Sequence, residues 1–570
     1  MRGMHRKLAV LLLALGLFAA ACSDGGGDVA EETDPPDTGA ATEADTGTDT
    51  GTETPADTGT EETPTEGDTP AETGTEGAGG EFSIYSSEPE FLHPAQDAET
   101  GGIQILLSLF TGLVDYDAET SEPVNAMAES IETEDSQTFT ITIQDGWTFH
   151  NGEPITAQTY VDSWNYVMDP TAANANSGFF TDIEGTDESG LAEGGAPGLA
   201  VVDDTTFTVA LKEPFSAWPL RLGYPAFFPM PAEAASDPDG YNENPIGNGP
   251  YMMSEPWAHD QYVRVERFPD YTGEDAGNAD SVEFRIYSEI NTAYTDMQAG
   301  NLDILQGVPP EQAQAAETEF GDAFLRTESS TFTYIGFPLY QEQWQNVDLR
   351  RAISLAVDRQ AITDAILTNS RPAERIIPPV VPGHREELCE FCGYDPERAA
   401  QLYEAAGGVQ EPLVLWFNSG AGHELWMEAV ANQLRQNLGI QQIEFQSQEF
   451  AEYLGIGDQN GYTGPFRLGW GMDYPSPQNY LQPLFFTEAD SNRGRYSNPE
   501  FEALVLEGNA AEDQEEAVSL YQQAEDILLD ELPVVPLFFR DSFTVHSENV
   551  TNVIVDTFER VRISEVQVVQ

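Results

Sequence analysis

Apolar residues along the chain follow two rhythms. In QTFTITIQDGWTFHNG, Phe139, Ile141 and Ile143 alternate with polar neighbours, and Asp145-Gly146 and Asn151-Gly152 stand where tight turns are made. The stretch predicts a hairpin with a following strand. The same period of two puts Phe207, Val209 and Leu211 on one face of a strand, and Val282, Phe284 and Ile286 on one face of another. Later segments change to the helical period. Leu349, Ile353, Ala356 and Val357 fall on one face of a helix in NVDLRRAISLAVDRQAI, which Asn346 can cap. YDPERAAQLYEAAGG predicts a helix opened by Asp395 and Pro396 and closed by Gly407 and Gly408. Next, the strand PLVLWFN, a helix with Trp426, Val430, Leu434 and Leu438 four apart, a stop at Gly439 and the strand IEFQ form a βαβ pattern. Such a unit pairs its strands in parallel. Hairpins and crossovers in one chain imply an α/β fold with mixed sheets.

At 570 residues the chain is several times the length of one typical domain, so two or three cores are expected. The N-terminus is read separately. Arg2, Arg6 and Lys7 precede an apolar run from Leu8 to Ala21 that is short for a bilayer span and ends in small residues, as in a secretory signal peptide over residues 1–21. Its end, LFAAAC, resembles the lipobox of bacterial lipoproteins, which implies lipidation at Cys22; plain secretion with Cys22 incidental is the simpler alternative. Residues 22–80 have almost only Thr, Glu, Asp, Gly, Ala and Pro after the cysteine, which cannot bury a core and predicts a flexible acidic linker.

Charge narrows the partners. The formal net charge is −76, and residues 23–80 hold only 17 of the 99 acids, so the remainder is strongly acidic as well. Phosphate binding needs clustered cations, so a nucleic-acid partner is excluded. The only lysines are Lys7 and Lys212, a balance that suits a solvent-facing protein of a saline habitat or a G+C-rich genome. His384, Cys389 and Cys392 in GHREELCEFCGY are the nearest approach to a metal site, but zinc takes four ligands and no fourth His or Cys is close in sequence. Outside the cytoplasm Cys389 and Cys392 more simply form a disulfide, with a thiol pair as the alternative. GNGPY, Gly247 to Tyr251, lacks the lysine of a phosphate-binding loop and reads as a turn. No hydrolase or nucleotide-binding motif occurs, so no enzyme activity, metal or cofactor is expected.

Several long segments occur in a familiar order: IQDGWTFHNGEPITAQTYVDSWNYVMDP, NPIGNGPYMM, AGNLDILQGVP, NVDLRRAISLAVDRQAI, YDPERAAQLYEAAG, LGWGMDYPSPQNYLQPLF and ILLDELPVVPLFF. From about Glu81 to the C-terminus the chain resembles the extracytoplasmic peptide-binding proteins of ABC importers, the family of oligopeptide- and dipeptide-binding proteins. The resemblance implies a two-lobed periplasmic-binding-protein-like fold with a hinge between the lobes and an additional domain inserted in the first. It places lobe I at 81–114, 231–331 and 540–570, the inserted domain at 115–230 and lobe II at 332–539. It also implies a monomer, held outside the cell membrane by its lipid, that closes on a peptide and passes it to a permease and its ATPase.

A general peptide receptor grips what all peptides share, the backbone and two charged ends. By resemblance, Asp473 of GWGMDY pairs with the peptide ammonium, Arg467 meets its carboxylate and Trp470 lines the pocket, while Gly469 and Gly471 admit the ligand backbone. Without the resemblance, Asp473 is a turn acid, Trp470 a core aromatic and Arg467 a surface ion pair. Arg540 departs from the pattern, which has a tyrosine there. It is either a second cation of the site or the partner of a structural acid. The alternatives are a non-peptide solute, such as a metal chelate, a glycoside or an anionic small molecule, and a surface receptor or adhesion protein without transport.

Overall fold

A computed structural model describes residues 79–96, 99–186, 195–511 and 513–569. The expected signal peptide, Cys22 and the acidic linker up to residue 78 lie outside the described residues. Among the described residues no helix is long and apolar enough to cross a membrane.

The main sheet has eleven strands. On one side Ile443–Gln448, Leu413–Asn418 and Phe466–Trp470 are neighbours; on the other lie Ile304–Gln306, Glu81–Ser86, Ser281–Ile286, Tyr262–Arg267 and Tyr251–Met253. Two strands of 13 residues each, Phe324–Gly336 and Val534–His546, join the sides. Their antiparallel pairing shifts register between Glu328 and Phe332. A polar break, ESST, occupies that point, where Ser329 and Ser330 are buried.

The sheet is mixed, as the coexistence of hairpins and crossovers predicts. Leu413–Asn418 pairs in parallel with Ile443–Gln448, joined by the helix Glu424–Leu438, which buries Trp426, Val430, Leu434 and Leu438. Gly439 ends that helix at φ 74°, a left-handed position that glycine adopts without a Cβ penalty. The helix Pro396–Ala405 is capped as its sequence predicts, with the Asp395 side chain accepting from Arg398 N–H. Each fully buried aliphatic side chain in such a helix contributes about 1.5–3 kcal/mol.

Two local readings are corrected. The stretch 346–362 forms two helices, Val347–Leu355 and Arg359–Ala365. The first is capped by Asn346, and the second starts because the Asp358 carboxylate accepts from Ala361 N–H. Thr138–Ile143 does not make its hairpin through Asp145-Gly146. It pairs with Ala128–Thr133 before it and with Thr206–Ala210, in a separate four-stranded sheet. Asp135 Oδ1 makes the real turn by accepting from Gln137 and Thr138 N–H, and Asn151-Gly152 closes only an isolated bridge between Thr148 and Pro154.

The buried side chains form separate clusters. Phe82, Ile84, Val282 and Phe284 of the main sheet pack in one cluster with Phe139, Ile141, Phe207 and Val209 of the four-stranded sheet. Leu413, Leu415, Val430 and Leu434 pack in another with Val535 and Leu537. Gly247 shows why GNGPY is glycine-rich: a Cβ there would stand 1.9 Å from the Leu109 carbonyl oxygen. The glycine allows a close backbone crossing.

Candidate functional site

Strand Phe466–Trp470 runs antiparallel to the second half of Phe324–Gly336, with Arg467 opposite Ile335 and Trp470 opposite Phe332. The alternation buries Phe466 and Leu468 and leaves Arg467 and Gly469 on the other face, half-buried. The chain then turns through Gly471 to Pro477 into the helix Gln478–Phe485. Gly471 is exposed, and a Cβ there would approach nothing closer than the Ser330 hydroxyl at 3.8 Å. The backbone on this side is open to a ligand.

Asp473 sits half-buried on this turn. Asn479, in the first turn of the following helix, fixes it from both sides: its Oδ1 accepts from Asp473 N–H at 2.9 Å, and its Nδ2 donates to Asp473 Oδ2 at 3.0 Å. The same Oδ1 accepts weakly from Trp470 Nε1 at 3.4 Å, which places the indole beside the acid. Among the described residues no cation lies within 4.0 Å of the Asp473 carboxylate. Burial pushes its pKa above the usual carboxylate value, although the Asn479 bond and the charges of Arg221 and Arg560 act against the rise. A nearby positive charge brought by a ligand would reverse that cost.

Six residues earlier the charge is opposite. Arg467 NH1 donates to Asn418 Oδ1 at 3.1 Å, and no carboxylate lies within ion-pairing distance among the described residues. Burial lowers its pKa to about 10, with the charge of Arg540 adding a smaller push, so it remains a cation at neutral pH. Asn418 ends a strand parallel to Phe466–Trp470, so Arg467, the second residue of its own strand, is held at the carboxyl end of Leu413–Asn418. Ligands of open α/β sheets bind at that end.

His423 belongs to the same corner, and no sequence reading singled it out. It is 9% exposed. Trp426 Nε1 donates to its Nδ1 at 3.2 Å, which leaves the ring proton on Nε2, and Nε2 has no partner in the protein. Burial and the charges of Arg467 and Arg540 push His423 down to about 3, so it is neutral and offers one N–H. Arg467, His423 and Asn418 thus form a positive, hydrogen-bonding corner fit for an anion.

Arg540 takes the structural alternative in part. Its NH2 is 2.8 Å from both carboxylate oxygens of Glu559, which also accepts from Thr331 Oγ1 at 2.9 Å. The side chain is 48% exposed and its charge still acts on His423 and Arg467. Gly471 lies beside this group, since a Cβ added there would stand 3.9 Å from Thr331 Oγ1. Asp473, Trp470, Gly471 and Arg540 are therefore drawn together around Ser330 and Thr331.

Cys389 and Cys392 form a disulfide, in which Cys392 N–H donates to the Cys389 carbonyl. His384 Nδ1 is bonded to the Ile377 carbonyl at 2.7 Å. Of the residues the sequence reading missed, only the βα loop of His423, with Gly420 and Gly422 at positive φ, carries a local signal of a binding loop. Asn479 and Glu559 are recognisable only through their partners.

The profile described as bacterial extracellular solute-binding proteins, family 5 Middle, matches residues 122–492. The chain is 28% identical to the oligopeptide-binding protein OppA of Bacillus subtilis, over 82% of this chain and 89% of that protein. It is 27% identical to the periplasmic murein peptide-binding protein MppA of Escherichia coli, over 79% and 86%. In structure it matches the E. coli murein tripeptide binding protein MppA with a TM-score of 0.72 and 23% identity, covering 87% of this chain and 99% of that one. It matches Haemophilus influenzae OppA, solved as a complex with RPPGFSPFR, with a TM-score of 0.71 and 24% identity, covering 86% and 99%. The two-lobed α/β architecture and the family profile coincide: the chain belongs to the bacterial extracellular solute-binding proteins of family 5.

Proposed function

We propose that this protein captures peptides outside the cell and delivers them to the permease and ATPase of an ABC importer. One observation carries the reading: a half-buried carboxylate without a cation, Asp473, and a guanidinium without a carboxylate, Arg467, stand on the same strand and turn. A peptide with free ends supplies both missing charges. Relatives named as oligopeptide- and dipeptide-binding proteins support the assignment.

Binding acts through closure. Lobe I comprises 81–114, 231–331 and 540–570, the inserted domain 115–230 and lobe II 332–539, with the hinge at the register shift of the two long strands. Ligand contacts made by both lobes exist only when they meet, so ligand shifts the population to the closed form that the permease reads. The protein performs no catalysis. It acts as a monomer held by a lipid on Cys22, and the acidic linker gives it reach.

A second reading has its own support. The corner offers one unpaired cation, Arg467, beside the neutral N–H of His423 and the paired Arg540, a set that also suits an anionic non-peptide solute. Native mass spectrometry of the purified protein separates the two. A retained family of peptide masses is expected; one defined non-peptide mass would overturn the peptide assignment.

A further inference from the structure

In a body so acidic, an arginine without an acid is informative. Among the described residues every arginine except Arg350, Arg359, Arg467, Arg495 and Arg560 lies within 4.0 Å of a carboxylate. Arg350 and Arg359 donate to backbone carbonyls, and Arg495 donates to Asn460 and the Asp458 carbonyl. Arg467 belongs to the site already described. Arg560 alone has neither a carboxylate nor a hydrogen bond from its side chain, and its buried Nε has no partner.

Arg560 is held in place without a direct ion pair. It ends a tight turn in which Asp556 N–H donates to the Arg560 carbonyl at 2.8 Å, while the buried Asp556 Oδ1 accepts from the N–H groups of Phe558 and Arg560 at 3.0 and 2.9 Å. The guanidinium lies over the Phe558 ring, 4.9 Å from its centroid, and Phe558 packs on Tyr116 at 5.1 Å. The turn touches the Asp473 side of the cleft through Ser330, whose N–H donates to the Thr557 carbonyl at 3.1 Å and whose Oγ accepts from Met472 N–H at 3.2 Å. Asp473, Tyr116 and the buried Asp556 of its own turn all feel the Arg560 charge. Arg221, the other cation near Asp473, is paired with Asp182. Arg560 is the one without an ion pair.

A ligand ammonium on Asp473 is repelled by a free guanidinium close by, unless the ligand also brings an anion to that guanidinium. We infer that Arg560 is a specificity-determining residue that pairs with an acidic side chain in the first two residues of the bound peptide. The planar fork of arginine suits a carboxylate, and stacking on Phe558 leaves that fork free. This rests on the peptide reading above and narrows it to amino-terminally acidic peptides.

Isothermal titration of the full chain with Glu-Ala-Ala, Ala-Glu-Ala and their glutamine counterparts tests it. At one of the two positions glutamate is expected to bind about 10-fold or more tightly than glutamine. Arg560→Gln should bring the two affinities together, and Arg560→Lys should restore part of the difference. Matched affinities in the wild type leave the peptide reading intact and overturn the role of Arg560. Equal weakening of all four peptides in Arg560→Gln also overturns it, because the arginine would then only keep Asp473 ionised. If none of the four binds and the protein retains a non-peptide mass, both readings fall.

Discussion

Asp473→Asn separates charge from shape at the centre of the site. The amide occupies the volume of the carboxylate, and its oxygen can still accept from Asn479 Nδ2, so the turn keeps the bond that positions it. What is lost is the negative charge. Removing one member of a buried, hydrogen-bonded charge pair costs about 2–5 kcal/mol, which is about 30-fold or more in Kd. The unliganded protein responds in the opposite direction. Burial outweighs Arg221, Arg560 and the Asn479 bond and raises the Asp473 pKa, so the native state holds this proton to higher pH than the unfolded chain does. The contribution to stability is then fully present below the ordinary value of 3.8 and is lost as pH rises through the folded value. Asparagine removes that loss. At neutral pH the variant should melt higher without ligand and bind worse. The assay is a cycle of two proteins and two ligands, wild type and Asp473→Asn against trialanine and N-acetyl-trialanine, by titration calorimetry with melting curves of the unliganded proteins. Acetylation should weaken binding to the wild type strongly and to the variant little. Equal loss for both ligands, together with a lower melting temperature, would refute ammonium pairing and leave Asp473 a structural turn acid.

Two further outcomes follow from buried charge. Burial lowers His93 and His150 to about 4 and His423 to about 3, so these rings stay neutral in the native state while the unfolded chain takes up protons below about 6.5. Their contribution to stability is therefore lost as pH falls from about 6.5 toward 4, and urea midpoints at pH 7 and pH 5 should differ in that sense; a flat response would contradict the burial of these rings. Asp541, 3% exposed beside the register shift, accepts from Arg326 Nε at 2.7 Å and lies 3.7 Å from Arg371. Asp541→Asn should cost about 1–3 kcal/mol, less than the ~3–5 kcal/mol of a fully buried pair, because half of Arg326 faces water; an unchanged urea midpoint would show that solvent already screens the cluster.

Where the sequence could be read, the cause was local. Asp395 caps its helix through a bond to a residue three positions on, and the strands of the βαβ unit are joined by the helix between them. Asp145-Gly146 misled because a turn dipeptide says where the chain bends but not which strand it meets; the hydrogen bonds of Asp135 and a partner at 206–210 decided that. Asp358 was a signal of the same kind as Asn346, and the apolar stripe running past it concealed the helix break. The site was harder. Asp473 is one of 99 acids, and only a resemblance over a long stretch marked it out. Asn479, His423 and Arg560 owe their roles to what they face, and for Arg560 the informative fact is a missing acid.

The proposed site and the proposed hinge share atoms, which bears on how binding would become motion. Where the two long strands shift register, ladder hydrogen bonds are replaced by bonds to other parts of the molecule. Ser329 Oγ donates to the Arg540 carbonyl at 2.8 Å, and Ser330 N–H donates to the Thr557 carbonyl. The Ser330 carbonyl accepts from Tyr480 OH at 2.6 Å, and its Oγ accepts from Met472 N–H. Met472 and Tyr480 flank Asp473, while Thr557 is on the turn of Arg560. Ser330 thus bonds from the register shift to both proposed lobes, through Thr557 on one and through Met472 and Tyr480 on the other. A rotation that parts these lobes about this point cannot leave every bond of Ser330 in place, since its partners move in different directions. Because buried polar groups left without partners are costly, opening and closing about the proposed hinge would exchange one set of bonds for another instead of bending the sheet gradually. On the reading proposed above, a ligand that fixes the 471–473 turn against Arg560 would bias that exchange directly, with no relay between the proposed site and the proposed hinge.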